Sequence, residues 1–193
     1  EEHIPIRMKA PGFTGAQRYR RNERDYLAVY DMADVSALET PEYKEIKGNP
    51  SALTSRMLGS VSNFTRYIGR GIATHAQAPL AEALAAPLLY PVFFTVPEDR
   101  LDEFDDWYDE DHAPTLLGCP EWLACRRFAL VDAHPQNFNR LALHYLADRS
   151  ALDSEARKVA RASEWRARLA QEAWFGGSYQ LFERHGARFV AQS

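Results

Sequence analysis

The chain has 193 residues, of which 46% are hydrophobic and 12% aromatic, with a net charge of −4. That is ample material for a packed core, and it excludes a disordered chain. It shows no basic stripe of the kind that binds nucleic acid, and its most apolar stretch, 80–96, is broken by Glu82, Pro87 and Pro91, so it is not a membrane span.

The first segment is repeated later in the chain. EEHIPIRMKAPGFTGAQRY (1–19) lies over EDHAPTLLGCPEWLACRRF (110–128) at a shift of 109, matching His3 with His112, Pro5 with Pro114 and Arg18 with Arg127. LAVYDMADVSALETPEYK (27–44) lies over LALHYLADRSALDSEARK (141–158) at a shift of 114, with eight of eighteen positions identical. The added five residues fall in a longer loop of the second copy, around 133–139. In the first copy 27–32 is a strand, and Ser36 with Glu39 forms a capping box for a helix. Residues 73–88 form an Ala/Pro-rich connection. The expected units are an N-terminal repeat (1–78), a linker (79–88) and a C-terminal repeat (89–193).

The second copy carries more elements. Residues 92–96 form a short apolar run suited to a buried strand. A helix is expected from about 98 to 112, with Phe104, Tyr108 and His112 four apart on one face. Nine acidic residues lie between Glu98 and Asp111; they point around the helix and read as a solvated face, not a metal site. Pro114 is expected to stop or kink the helix near His112. Strands at 123–131 and 141–146, a capped helix from 150 to about 174 and a last strand at 178–183 complete a β-α-β-β-α-β unit. The fold class is therefore α+β, with tandem ferredoxin-like repeats. The first repeat lacks its first strand and most of its first helix, about 21 residues by analogy with the second, so the chain is expected to extend upstream.

His112 is the side chain to explain. Imidazole transfers protons near neutral pH, and a helix break beside a sheet is a natural cleft. The competing reading is a histidine that bonds a free backbone carbonyl and holds the kink. Asp111 or Asp109 are candidates to orient the ring. Trp107 and Tyr108 read either as core or as pocket wall, and so do Trp122, Trp165 and Trp174. Arg127, matched by Arg18, either binds a substrate carboxylate or pairs with a helix acid. His144 aligns with Tyr30 and is a weaker pocket candidate; His75, His134 and His185 look peripheral. Cys119 and Cys125 show neither metal nor disulfide spacing and fit reduced thiols of a cytoplasmic protein.

FDDWYDEDHAPTLLGCPEWLACRRF, with YLAVYDM and ALETPEY of the first copy, resembles the EthD-like branch of the dimeric α/β barrel superfamily. The resemblance implies that the two repeats pair their antiparallel sheets into an α/β barrel within one chain, helices outside, with homodimerisation still open. Related families include cofactor-independent monooxygenases, muconolactone-type isomerases, polyketide cyclases, aldoxime dehydratases and haem enzymes. His112 carries over as the motif histidine; the first copy lacks the Trp-Tyr-Asp part, which puts a second site at His3 in doubt. The expected function is a cofactor-independent isomerase or lyase acting on a small hydrophobic or aromatic carbonyl compound. His112 is its acid/base, assisted by Tyr108 and Asp111, and Phe104, Trp107, Trp122, Arg127 and His144 contact the substrate. A haem enzyme with an axial histidine and a non-catalytic small-ligand scaffold are the alternatives.

Overall fold

The computed structural model describes residues 3–191. Eight strands are present among them: β1 (Phe13–Arg20), β2 (Tyr26–Met32), β3 (Arg66–Ala76), β4 (Leu88–Phe94), β5 (Trp122–His134), β6 (Arg140–Leu146), β7 (Ser178–Tyr179) and β8 (Phe182–Val190). They form one antiparallel sheet in the order β2-β1-β8-β4-β6-β5-β3, with the short β7 on β4. Within the second half, β6 lies between β4 and β5, and β4 lies between β6 and β8. These are two interleaved split βαβ arrangements, the signature of a ferredoxin-like unit.

The halves share this sheet: β1 pairs with β8 and β3 with β5. β2 and β3 are its free ends, so the sheet is open where a closed barrel was expected. The first half supplies three strands, and β3 spends its pairing on the second half instead of returning to β2. The sheet still curls strongly. Arg126 on β5 reaches Asp31 on β2 at 2.8 Å, although these strands lie towards opposite ends of the order.

Strand alternation divides the core between the two faces. Tyr90, Val92 and Phe94 of β4, with Ala142 and Leu146 of β6, face the helices and pack on Phe104, Trp107 and Leu116. Leu89, Leu143 and Tyr145 face the concave side with Tyr19 and Phe182. A bulge between Trp122 and Ala124 lets Trp122 and Cys125, three residues apart, both join the helix-side core.

The helix carrying the histidine motif does not stop at His112. It runs as α-helix Leu101–Asp106, π-helix Trp107–His112 and α-helix Ala113–Leu116. The widened turn pairs the Ala113 N–H with the Tyr108 carbonyl, five residues back. Pro114 falls in the first turn after the π segment, where its missing N–H and ring are tolerated. The expected helix from 150 is also divided, into a 3₁₀ turn Arg149–Asp153 and helices Glu155–Ala162 and Glu164–Leu169. Ser154 and Ser163 cap these two helices through their hydroxyls.

The acidic run is not simply a solvated face. Asp105 and Asp109 both bind Arg127, whose side chain is 2% exposed, and Asp105 also takes Arg140 at 2.8 Å. His75 on β3, read as peripheral, reaches Asp109 at 2.8 Å. This network pins the motif helix to β3, β5 and β6. Burial raises the Asp105 carboxyl, but hydrogen bonds and charge from Arg140 and Arg127 outweigh it and hold the group below its ordinary value. A folded-state value below the unfolded one stabilises above the unfolded value and is lost as pH falls through the folded one. Arg127→Met should therefore lower unfolding stability by about 3 kcal/mol at pH 7, read by urea titration, with a smaller loss below about pH 4, where free carboxylates protonate.

Candidate functional site

A cavity of about 110 Å³ lies between the helix-side face of the sheet and the motif helix. An apolar cavity of about 150 Å³ accepts benzene, so this space is on the scale of one aromatic ring. Its floor is Tyr90, Val92 and Phe94 of β4, Trp122 of β5 and His144 of β6; the π segment supplies Trp107, Tyr108 and His112. The π turn matters here because it brings these three side chains, within six residues, onto one wall.

A directed hydrogen-bond chain runs behind that wall. Trp122 Nε1–H donates to His144 Nδ1 at 3.0 Å, and His144 Nε2 lies 2.7 Å from the Tyr108 hydroxyl oxygen. An indole nitrogen only donates, so Nδ1 of His144 must be the acceptor. Burial, followed by Arg127 and by the cost of a second proton beside His112, pushes His144 well below its ordinary value and keeps it neutral. A neutral ring with a bare Nδ1 carries its proton on Nε2, and that N–H donates to the Tyr108 oxygen. The Tyr108 hydroxyl hydrogen is left free for another acceptor. Burial raises the phenol far above its ordinary range, so it remains a donor.

His112 stacks at a tilt on Trp107 (4.7 Å between ring centres) and stands edge-on to Tyr108 (5.0 Å). Burial, and then the charges of Arg166, Arg161 and Arg157, lower it to about 3; a backbone hydrogen bond at Ala160 opposes this. The ring is neutral at pH 7. A carbonyl can only accept, so the nitrogen bonded to Ala160 holds the proton and the other offers a lone pair. Nδ1 of His112 and Nε1 of Trp107 are both buried without a hydrogen-bond partner.

Of the residues singled out in the sequence, Trp107, Tyr108, His112, Trp122 and His144 meet at the cavity. Others do not. Asp111 turns away and accepts from Ser163 Oγ, across to the helix Glu164–Leu169, so it does not orient the imidazole. Arg127 is committed to Asp105 and Asp109 and lies over the back of the Tyr108 ring at 4.6 Å, so it supports the phenol instead of reaching a substrate. Phe104 sits behind the wall against Phe94 (4.9 Å), and Trp165 and Trp174 pack at the edge of the core. The cavity adds Arg157, Arg161, Arg166, Phe175 and Tyr179, which the sequence reading did not pick out. The spacing of Arg157 and Arg161, four apart on a helix, was the available signal.

The first-half counterparts are filled in. Phe13 stands at the matching position to Trp122 and stacks on Tyr43 at 5.4 Å. Tyr30 replaces His144, with Arg7 over its ring at 5.3 Å. Arg18 lies over Tyr26 at 5.9 Å, and burial followed by Arg7 and Arg18 lowers His3. With neither indole nor imidazole there, no equivalent relay forms. Among the described residues, no three His, Cys, Asp or Glu side chains gather to hold a metal, and no helix is long and apolar enough to cross a membrane.

No family model matches this sequence, and no curated protein matches it. Solved structures match its fold. An anthrone oxidase-like protein superposes over 100% of this chain and 85% of its own length, with TM-score 0.66 and 13% identity. A "putative monooxygenase" from Lactobacillus acidophilus NCFM covers 97% of this chain and 84% of its own, with TM-score 0.52 and 10% identity. At these identities the likeness concerns the fold, and the narrower EthD-like resemblance finds no support in it.

The neutral His112 has a stability consequence. Unfolded, it takes up a proton near its ordinary 6.5; folded, it does so only near 3. Protons therefore favour the unfolded chain, and stability should fall as pH drops below about 6.5. His112→Gln should flatten this decline between pH 6.5 and 4 in chemical-denaturation curves; an unchanged slope would show that the folded histidine titrates normally.

Proposed function

We propose that the chain is an enzyme that deprotonates an activated C–H of a small aromatic carbonyl compound in this cavity. The observation that carries the reading is that three residues lining one ring-sized space each hold an unspent polar group: the His112 lone pair, the Trp107 N–H and the Tyr108 hydroxyl hydrogen. His112 takes the proton as general base. Tyr108, held through its oxygen by His144, donates to the developing enolate oxygen, and the Trp107 N–H is a second donor. Preoriented donors of this kind act most strongly in a dry site, where they need no reorganisation as charge develops. Among the described residues the cavity lining holds no serine or cysteine nucleophile, which argues against acyl transfer.

The carbanion can be reprotonated elsewhere, can expel a group, or can react with dioxygen. Oxidation is the reading we adopt, supported by the names of the fold neighbours, one anthrone oxidase-like and the other named as a monooxygenase. Oxidation of an activated methylene beside a single aryl ring balances without a reductant: CH₂ plus O₂ gives C=O plus H₂O, the substrate supplying four electrons. No feature of the cavity favours the isomerase or lyase outcome over this one. The residues do not fit haem. The cavity has room for one ring, far less than a porphyrin needs.

The test uses two single-ring carbon acids, phenylpyruvate and phenylacetone. Deuterium exchange at the activated carbon under nitrogen, and oxygen uptake in air, should both exceed the buffer rate. His112→Asn should reduce both by about 10²- to 10⁴-fold, and Tyr108→Phe by about 10²-fold, with folding retained. Absence of exchange and uptake above buffer with either compound would contradict the reading.

A further inference from the structure

Three arginines line this cavity, and among the described residues no aspartate or glutamate does. Arg157 and Arg161 lie one turn apart on helix Glu155–Ala162, and Arg166 follows on Glu164–Leu169. Like charges four apart, as at Arg157 and Arg161, mildly destabilise a helix, and a bound anion would relieve the repulsion. Elsewhere the chain provides one: Arg127 and Arg140 share Asp105, Arg126 and Arg188 share Asp31, and Arg100 binds Glu103 and Glu172. The ion pairs among the described residues include none of the three cavity arginines, and burial, then the charges of Arg161 and Arg157, push Arg166 below its ordinary value. Two of the three guanidinium groups are nonetheless held in place. Arg157 donates to the Leu152 carbonyl at 2.6 Å and bonds Tyr90, while Arg166 donates to the Arg161 carbonyl at 3.2 Å and lies over Phe175 at 5.6 Å. At a shift of 114, Tyr43 and Lys47 occupy the positions of Arg157 and Arg161, and Ala52 that of Arg166, so the cluster belongs to the second half alone.

We infer that the substrate is an aromatic carboxylate, its ring in the cavity against Trp107 and Trp122 and its carboxylate on Arg157, Arg161 and Arg166. This deepens the proposed function and rests on reading the cavity as the substrate site. The planar guanidinium fork matches a carboxylate, and a charge bound to fixed donors is stronger than a neutral amide in the same place. His112, being neutral, adds no rival cation. Arg161 is the exposed member, placed to meet an anion on entry, while Arg157 and Arg166 are half-buried.

Calorimetric titration with benzoate, benzamide and acetate tests this directly on the intact chain. Benzoate should bind at least about tenfold more tightly than either neutral benzamide or ringless acetate. Arg166→Gln should remove most of the preference over benzamide. Arg161→Gln, at an exposed position that folding tolerates, should weaken benzoate severalfold and leave benzamide unchanged. Equal affinity for benzoate and benzamide, equal affinity for benzoate and acetate, or no measurable benzoate binding would each overturn the assignment. His112→Asn separates it from the catalytic reading. The substitution should leave the benzoate preference intact, so a preference without carbon-acid exchange refutes only the chemistry, and exchange without a preference refutes only the anion site.

Discussion

An indole N–H can give a hydrogen bond and cannot receive one, and this asymmetry organises the site. Trp122 is anchored on β5 and His144 on β6, strands adjacent in the sheet, so their hydrogen bond is set by the register of the core. The direction imposed at Trp122 passes through the imidazole to the Tyr108 oxygen. A phenol that would otherwise donate to the nearest histidine must then offer its hydrogen elsewhere. Burial reinforces the arrangement at each step, since protonating His144 or ionising Tyr108 would place a charge in the core.

The chain works only because the motif helix is held at a fixed height over the sheet. The Arg127 network does this from one side, gripping Asp105 and Asp109 on successive turns. Leu116, Phe104 and Trp107 pack the rest of the helix on β4. The π turn between these anchors presents Trp107, Tyr108 and His112 together, at the cost of a less regular hydrogen-bond ladder. In the first half Phe13 and Tyr43 stack across the corresponding space, which shows how readily such a cleft closes when its polar members are replaced by rings.

Much of this was legible in the sequence. The β-α-β-β-α-β order of the second half, the placement of Tyr108 and His112 towards the sheet, and the interest of Trp122 and His144 followed from periodicity and from the repeat. Three things were not. Pro114 argued for a helix end, because local rules cannot anticipate a π turn that absorbs the proline. Arg127 stayed open between a substrate carboxylate and a helix acid, since its pairing with Asp109 and Asp105 joins residues 18 and 22 apart through a strand–helix contact. Arg157, Arg161 and Arg166 drew no reading from the sequence; only the fold brings them to the cavity lining. The open sheet differs from the barrel implied by the resemblance because β3 pairs across the halves and leaves β2 without a second neighbour.

The fold likeness to an anthrone oxidase-like protein is a likeness of scaffold, and the chemistry proposed for this chain stands on its own side chains. Its central claim is the proton arrangement at His144. Long-range ¹H–¹⁵N correlation NMR of histidine-labelled protein measures that arrangement. The account predicts a neutral His144 with its proton on Nε2 and a bare, hydrogen-bonded Nδ1, unchanged from pH 7 to pH 5. A proton on Nδ1, or titration of this ring near pH 6, would reverse the direction of the chain, turn the Tyr108 hydrogen back towards the core, and contradict the account.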